Sequence, residues 1–313
     1  MVRFGFTERG RQRWRCHRCK VSGVRTRTDN WERLWRRRKS AWLLHMENLS
    51  AHCRRWRVSR RTASRALRET EVSAPPSPLL SVADKALVLD ATELSSSLVA
   101  LIARTPDDGG IAWAFAEREN YTAWHSFLSR IADTPRGIVS DAQKGLKKAV
   151  RERFPEVSAQ RCVFHLIRLA CAWITRRPKT VAGKQLRTIV VSLTRIWSDE
   201  EARQWTVMFL RWYEHYRSFL AERTVSLDGR SSWLTHRKLA QAASLVRRSI
   251  PELFTYCTMP GLPRTTNHVE GGINAGIAEL MRRHRGISLT QKKTAVALFL
   301  SKRRGKVATR NGA

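Results

Sequence analysis

The sequence predicts an α/β core interrupted by a long all-helical stretch and preceded by a small, strongly basic region. Three observations carry that expectation. The stretch GIVSDAQKGLKKAVRERFPEVSAQRCVFH, Gly137 to His165, reads as strand, acid, helix, strand. Residues 86 to 115 hold three apolar runs with short polar connections between them. From His165 to about Phe254 the apolar residues recur at helical spacing, and no strand pattern appears.

The 313 residues suffice for two or three domains and a sizeable core. Lys and Arg number 59 against 26 Asp and Glu, a formal charge of +33. Such an excess says nothing about fold but predicts a polyanionic partner, whether DNA or RNA. No apolar run approaches the ~18 residues of a membrane span. The opening MVRFGFTERGRQRW lacks the apolar core of a signal peptide. A cytoplasmic protein with reduced thiols is therefore expected. Six scattered cysteines make no disulfide framework.

In chain order, residues 1 to 75 come first, with 21 Lys and Arg against 6 Asp and Glu. Within them RQRWRCHRCK carries a CxxC, Cys16 and Cys19. Tetrahedral zinc needs four N or S ligands, and this segment offers two, or three with His17. His52 and Cys53 lie at a spacing that suits no zinc pattern. A metal knuckle without its metal is usually unfolded, so residues 1 to about 30 are expected to be poorly ordered.

Next, ENLSAHCRRWRVSRRTASRALRE predicts a helix over Leu49 to Trp56 and a turn over Arg57 to Ser59. A second helix, Arg60 to Leu67, follows with Ser59 as its N-cap. The pattern suits a helix-turn-helix, whose second helix enters the major groove. Arg60, Arg61, Thr62, Ser64 and Arg65 would face DNA, while Ala63, Ala66 and Leu67 pack. A merely solvated basic helix is the plainer alternative.

VSAPPSPLLS, rich in Pro and Ser, reads as a linker. Beyond it Ala86 to Asp90, Ser97 to Ala103 and Gly110 to Phe115 predict an antiparallel meander, with a turn at residues 105 to 110. A helix follows over Tyr121 to Ala132, presenting Trp124, Phe127, Leu128 and Ile131 on one face. The β-branched Ile138 and Val139 then mark a buried strand that stops at Ser140 and Asp141, both suited to capping a helix. Leu146, Ala149 and Val150 line that helix, and a short strand near Val157 to Val163 leads into another helix at His165.

In the helical stretch, Ser198 and Glu201 form a capping box ahead of Trp205, Met208, Phe209, Trp212, Tyr216 and Phe219. Leu239, Ala242, Leu245, Val246 and Ile250 make a second stripe. Such stripes are usually core.

Three acids recur in comparable settings. Asp90 ends the apolar strand of KALVLDATEL, Asp141 follows the strand GIVS, and Glu270 stands near the start of a helix in TTNHVEGGINAGIAELMRRHRG. Each alone is ordinary, since Asx residues cap helices and Glu is common on surfaces. Three carboxylates on separate elements are what a two-metal phosphoryl-transfer site requires, because hard Mg2+ ions take oxygen ligands. Asn267, Glu270 and Asn274 share a helix face at i, i+3, i+7 spacing.

The order Asp90, Asp141, Glu270 resembles the DDE triad of the mutator-type transposases of bacterial insertion sequences. GIVSDAQKGL followed by QRCVFH resembles that family's second Asp and its CxxH element, here Cys162 and His165. LFTYCTMPGLPRTTNHVEGGIN resembles its approach to the catalytic Glu, with Asn267 and Asn274. The resemblance runs from about Trp14 to Arg304. It implies a ribonuclease H-like core with a large α-helical insertion, preceded by a basic helix-turn-helix region and a partial zinc ribbon. The implied division is 1–39, 40–71, linker 72–84, core 85–165, insertion 166–262, Glu helix 263–304 and tail 305–313.

The resemblance further implies two Mg2+ ions on the triad and a homo-oligomer on double-stranded DNA, both terminal inverted repeats and target, within the nucleoid. The activity would be strand cleavage followed by strand transfer. In the resembled family a second CxxC usually precedes the first, so Cys16 and Cys19 would be half of a zinc site, and a misassigned start or a truncated gene is expected. A DNA-binding regulator, or a decayed transposase, is the alternative. The CxxH pair, with no CxxC nearby, suits a structural or hydrogen-bonding role.

Overall fold

The computed structural model describes residues 1–8, 10–24, 27–45 and 47–303; the side chains at 27–29, 268 and 270 and the predicted tail 305–313 lie outside this description. The described chain forms two compact units. One comprises residues 1–75 with 279–299, and the other 76–278 with the residues from 300 on.

The first unit opens with strands β1 (Val2–Phe6), β2 (Gln12–Arg15) and β3 (Ser22–Val24). They pair antiparallel in the order β1-β2-β3. Where poor order was expected, the described residues of this segment form a three-stranded antiparallel sheet. Helices α1 (Arg27–Leu44), α2 (Leu49–Trp56) and α3 (Arg60–Glu69) follow. Asn48 caps α2 and Ser59 caps α3, the latter accepting the Thr62 N–H at 3.1 Å. Trp35, Cys53, Ala63, Ala66 and Leu67 make a small core, with Trp42, Leu49, Trp56 and Val58 packed against it. The guanidinium of Arg38 lies 4.8 Å from the Trp35 ring and 5.4 Å from that of Trp56.

The second unit is built on β4 (Ala86–Ser95), β5 (Leu98–Thr105), β6 (Gly110–Ala116), α4 (Tyr121–Leu128), β7 (Gly137–Ser140), α5 (Lys144–Arg153) and β8 (Ala159–Arg161). The sheet order is β6-β5-β4-β7-β8, antiparallel through the first three strands and parallel from β4 to β8. This is the mixed α/β arrangement the apolar runs predict. Alternation along the strands puts Leu87, Leu89, Leu101 and Ile138 into one core with Trp124 and Phe127 of α4 and Leu146 and Ala149 of α5.

Several bounds differ from expectation. β4 runs five residues past Asp90, because β5 keeps pairing with it as far as Ser95↔Leu98. Asp90 is therefore interior to a strand and not at its end. Helix α4 stops at Leu128 instead of continuing to Ala132, and the helix expected from His165 already begins at Val163.

A second core gathers α6 (Val163–Ile174), α7 (Val181–Ser192), α8 (Asp199–His215), α9 (Arg217–Ala221) and α10 (Arg237–Ser249). The capping box at Ser198 and Glu201 forms as expected. Trp205, Phe209 and Trp212 are buried, whereas Met208, expected in the same stripe, is 42% exposed. Between α9 and α10 lies a hairpin, β9 (Arg223–Val225) and β10 (Ser232–Leu234), where no strand was expected. Its strands are three residues each, too short for alternation to register.

The outer edge of β8 is covered by the segment after α10. Gln160 donates to the Leu253 carbonyl at 2.8 Å and accepts the Tyr256 N–H at 3.1 Å, while Thr255 of α11 (Thr255–Thr258) donates to the Ala159 carbonyl. The two Gln160 bonds are made by its side chain, and the Thr255 bond satisfies one carbonyl of an otherwise open sheet edge. The chain ends its described course with α12 (Asn267–Val269), a wider π-turn (Glu270–Asn274), α13 (Ala275–Arg283) and α14 (Leu289–Arg303).

Candidate active site

Asp90 and Asp141 are brought to one level by strand register. Val88 of β4 pairs with Val139 of β7, and two further residues along each chain lead to Asp90 and Asp141. Adjacent strands run about 4.8 Å apart, so the two backbones are neighbours at Val88 and Val139, two residues before the acids. Asp90 is 6% exposed; its Oδ1 accepts the Ala91 N–H at 3.0 Å and its Oδ2 accepts from Asn274 Nδ2 at 3.0 Å.

The turn after β7 differs from a helix cap. Ser140 Oγ accepts the Ala142 N–H at 3.2 Å, and Asp141 Oδ1 accepts the Gln143 N–H at 2.9 Å. Gln143, not Ser140 or Asp141, caps α5 by accepting the Leu146 N–H at 3.0 Å. Ala142, at φ 59°, takes the left-handed conformation that this tight turn requires. The extra residues hold Asp141 at the strand end, with Oδ1 engaged by the turn itself and the helix start left to Gln143.

Glu270 opens the π-turn instead of a regular helix, and its side chain lies outside the described residues. A π-turn widens the spacing on which the shared face of Asn267, Glu270 and Asn274 was reasoned. Asn267 is exposed at the start of α12, whereas Asn274 reaches Asp90. The Asn274 Oδ1 is buried and has no hydrogen-bond partner among the described residues.

Cys162 and His165 join this region to the segment leading into α12. The Cys162 N–H donates to the Ser140 carbonyl at 2.6 Å, and the Val163 N–H to that of Arg264 at 3.1 Å. Thr266 donates both its N–H, at 3.3 Å, and its hydroxyl, at 3.4 Å, to the Cys162 sulfur, and stands 3.4 Å from His165 Nδ1. Burial opposes ionisation of the thiol, but hydrogen bonds from His165 and Thr266 outweigh it and hold the thiol below its ordinary value. The CxxH thus acts here as a clasp between the end of β7 and the chain just ahead of Glu270.

Two side chains were not foreseen. Glu119, directly before the α4 cap Asn120, accepts the Trp124 Nε1–H at 3.0 Å. Burial pushes its carboxyl up against the Trp124 hydrogen bond, with the charge of Asp141 adding a smaller upward effect and His165 a smaller downward one. Arg161 is the counterpart cation: burial lowers its pKa, while Asp141 and Glu252 favour its charge. The only sequence signal for either was a charged residue next to the end of a strand.

The remaining expected residues lie in the first unit. On α3, Arg60, Arg61, Thr62 and Arg65 are exposed and Ser64 half-buried, while Ala63, Ala66 and Leu67 are buried. Cys16 and Cys19 bracket the turn between β2 and β3, and the backbone N–H groups of Cys19 and Arg18 lower the Cys16 pKa. Among the described residues, no group of three or more His, Cys, Asp and Glu converges on a point that would hold a metal. No helix among them is long and apolar enough to cross a membrane.

Residues 109–228 match the family model described as Transposase, Mutator family. The matched stretch runs from β6 into the β9–β10 hairpin and includes Asp141, Cys162 and His165; Asp90 and Glu270 fall outside it. No curated protein matches the chain. Such a family implies a DNA-processing enzyme with DNA as its partner. Over that stretch the chain is similar to the Mutator family of transposases.

Proposed function

We propose that this protein is a DDE transposase of a bacterial insertion sequence, with a ribonuclease H-like core, in which Asp90, Asp141 and Glu270 form the catalytic triad. The observation that carries the reading is the common register of Asp90 and Asp141 on parallel neighbours, with Asn274, four residues past Glu270, bonded to Asp90. Carboxylate oxygens from two strands, beside the unpartnered buried Asn274 oxygen, are a donor set that suits Mg2+. Asp90, Asp141 and Glu270 would hold two such ions, which lower the pKa of bound water and neutralise charge at phosphorus.

The chain's own residues set the geometry. The clasp of Cys162, His165 and Thr266 holds the Glu270 segment near the end of β7, and the turn around Ala142 keeps Asp141 free of cap duty. In-line attack by water on a phosphodiester at the element's end releases a 3′-hydroxyl. That hydroxyl attacks target DNA in a second transfer, without a covalent enzyme intermediate. Recognition of terminal repeats falls to α3, whose exposed Arg60, Arg61 and Arg65 suit phosphate and guanine edges. Zinc on Cys16 and Cys19 remains a half-site, needing ligands from a second chain or a preceding segment.

Asp141→Asn tests the triad, since it removes a ligand's charge and barely alters shape. Mg2+-dependent nicking of terminal-repeat DNA should fall by at least about a thousandfold, roughly 4 kcal/mol in barrier, with repeat binding retained. Nicking by the variant at the wild-type rate would remove Asp141 from the site.

A further inference from the structure

The helical segment of the second unit contains a cavity that the catalytic reading does not use. It measures about 590 Å3 and lies among the end of α6, the start of α7 and the β9–β10 hairpin with the start of α10. Trp173 and Trp233 supply aromatic walls, and Arg177, Lys179, Arg237 and Lys238 supply four cations; among the described residues no acidic side chain lines it. Trp233 is half exposed, carried on the hairpin that no sequence pattern announced. Thr175, on the rim, holds φ at 72°, an unusual conformation for a β-branched residue. Its carbonyl is held by Arg187 Nη1 at 3.3 Å. Strain of this sort persists where the surroundings enforce it, and it recurs at ligand sites.

We propose that this cavity binds one nucleotide of an unpaired DNA strand, its base against Trp233 and its phosphates against Arg177 and Lys179. The inference takes DNA as the substrate from the proposed transposase function and adds a second contact point. Cations with no compensating acid call for an anion, and an indole face calls for a flat ring; a nucleotide supplies both. A duplex does not fit the recess, because its bases are stacked inside a rod whose outer surface is phosphate and sugar. The volume falls in the range that encloses a small ligand. Helix α6 connects the cavity to the chemistry: it starts at the Cys162–His165 clasp and ends at Trp173 and Ile174. Twelve residues of helix span about 18 Å, or about five base-pair steps. The unpaired nucleotide would therefore lie a few positions from the bond that is cut.

The test uses the full chain, without divalent metal, and oligonucleotides of arbitrary sequence, so that its outcome is independent of cleavage and end recognition. Binding of a short single-stranded DNA carrying one 2-aminopurine is compared with the same sequence as a blunt duplex, at raised salt to suppress general charge attraction. The wild type should prefer the single strand and change the 2-aminopurine fluorescence. Trp233→Ala should weaken single-strand binding about tenfold, within the span of base–aromatic stacking; Trp233→Phe should retain most of it, and the duplex should be unaffected. Arg177→Ala with Lys179→Ala should lower single-strand affinity and its salt dependence together. Thermal melting keeps a folding defect separate from a binding one. Single-strand affinity of Trp233→Ala equal to wild type, or equal wild-type affinity for single strand and duplex, overturns the proposal. Competition by dTTP at matched nucleotide concentration would make the cavity a free-nucleotide site and also overturns it. Binding that follows these expectations while Asp141→Asn still nicks would leave the cavity standing and the triad refuted.

Discussion

The two units carry their positive charge on very different foundations. In the first unit the described cluster around α2 and α3 has five buried residues, with Leu43, Leu280, Ala295, Val296, Ala297 and Phe299 also buried, and Arg38 helps cover the cluster by stacking over Trp35 and Trp56. In the second unit the sheet cluster has seventeen buried residues and the α6–α10 cluster twenty-one. A surface of exposed arginines needs only enough core to keep its helices in place. Holding two carboxylates in register, near groups that must not move, needs a sheet fixed from both faces and along its edge. The comparison teaches that the side expected to read DNA is the thermodynamically lighter one.

The sharpest way to break that comparison is to remove one tryptophan from each unit. Trp35 and Trp205 are both 2% exposed, and Trp205 also donates from Nε1 to the Ile189 carbonyl at 2.9 Å. Truncation of a buried aromatic costs about 3–5 kcal/mol. Trp35→Ala should therefore abolish or strongly lower a first thermal transition and leave a later one, whereas Trp205→Ala should lower the later one and leave the first. A single transition, shifted alike by both variants, would show that the two units unfold as one cooperative body.

Acid should separate the units by sign. In the first, burial lowers the pKa of His52 and, again with burial as the main cause, that of His284. Their folded forms favour the neutral ring, so the stability they protect is present above the unfolded value near 6.5 and is lost as pH falls below it. In the second, Glu119 is raised above its ordinary 4.5 by burial. Its contribution is present below that value and lost as pH rises through its folded pKa. Between pH 7 and 5, without divalent metal, the first transition should fall while the second holds or rises. Only from about pH 4 downward should the second weaken. Asp108 is buried in part, yet hydrogen bonds from Lys85, Thr105 and Gly110 lower it from 3.8 to about 2. Its stabilisation is therefore lost across that interval. Calorimetry against pH reads both signs; a parallel fall of both transitions between pH 7 and 5 would contradict the assignment.

On the DNA side, changing Arg60, Arg61 and Arg65 to Ala should reduce the logarithmic salt slope of binding by up to about three and weaken discrimination of repeat from random DNA. Unaltered discrimination would move recognition off α3. The smallest effects are at helix starts. Ser59→Ala and Ser198→Ala each delete one cap, at 3.1 Å and 3.2 Å respectively, and should cost about 1 kcal/mol. The loss at Ser59 should be felt more, because its unit has less to spare; chemical denaturation of both variants measures it.

Sequence by itself determined the elements whose signals are local and periodic. The meander, α4, β7, helix α2 and the Ser59-capped α3, and the aromatic stripe of α8 were all legible, because burial of one face leaves a period of 2 or 3.6 in the residues. It also determined which acids were candidates, since an acid beside an apolar run stands out. Only the tertiary structure decided how those acids meet. That β4 continues past Asp90 depends on its partner β5, and that Asp141 is level with Asp90 depends on parallel pairing across some fifty residues of chain. The Gln143 cap, the Asn274 bond to Asp90, the clasp at Cys162 and the placement of Glu119 rest on turn geometry or on residues far apart in sequence. The short hairpin and its cationic cavity left no period to read. Contacts of that kind are set by strand register and close packing, which no local pattern encodes.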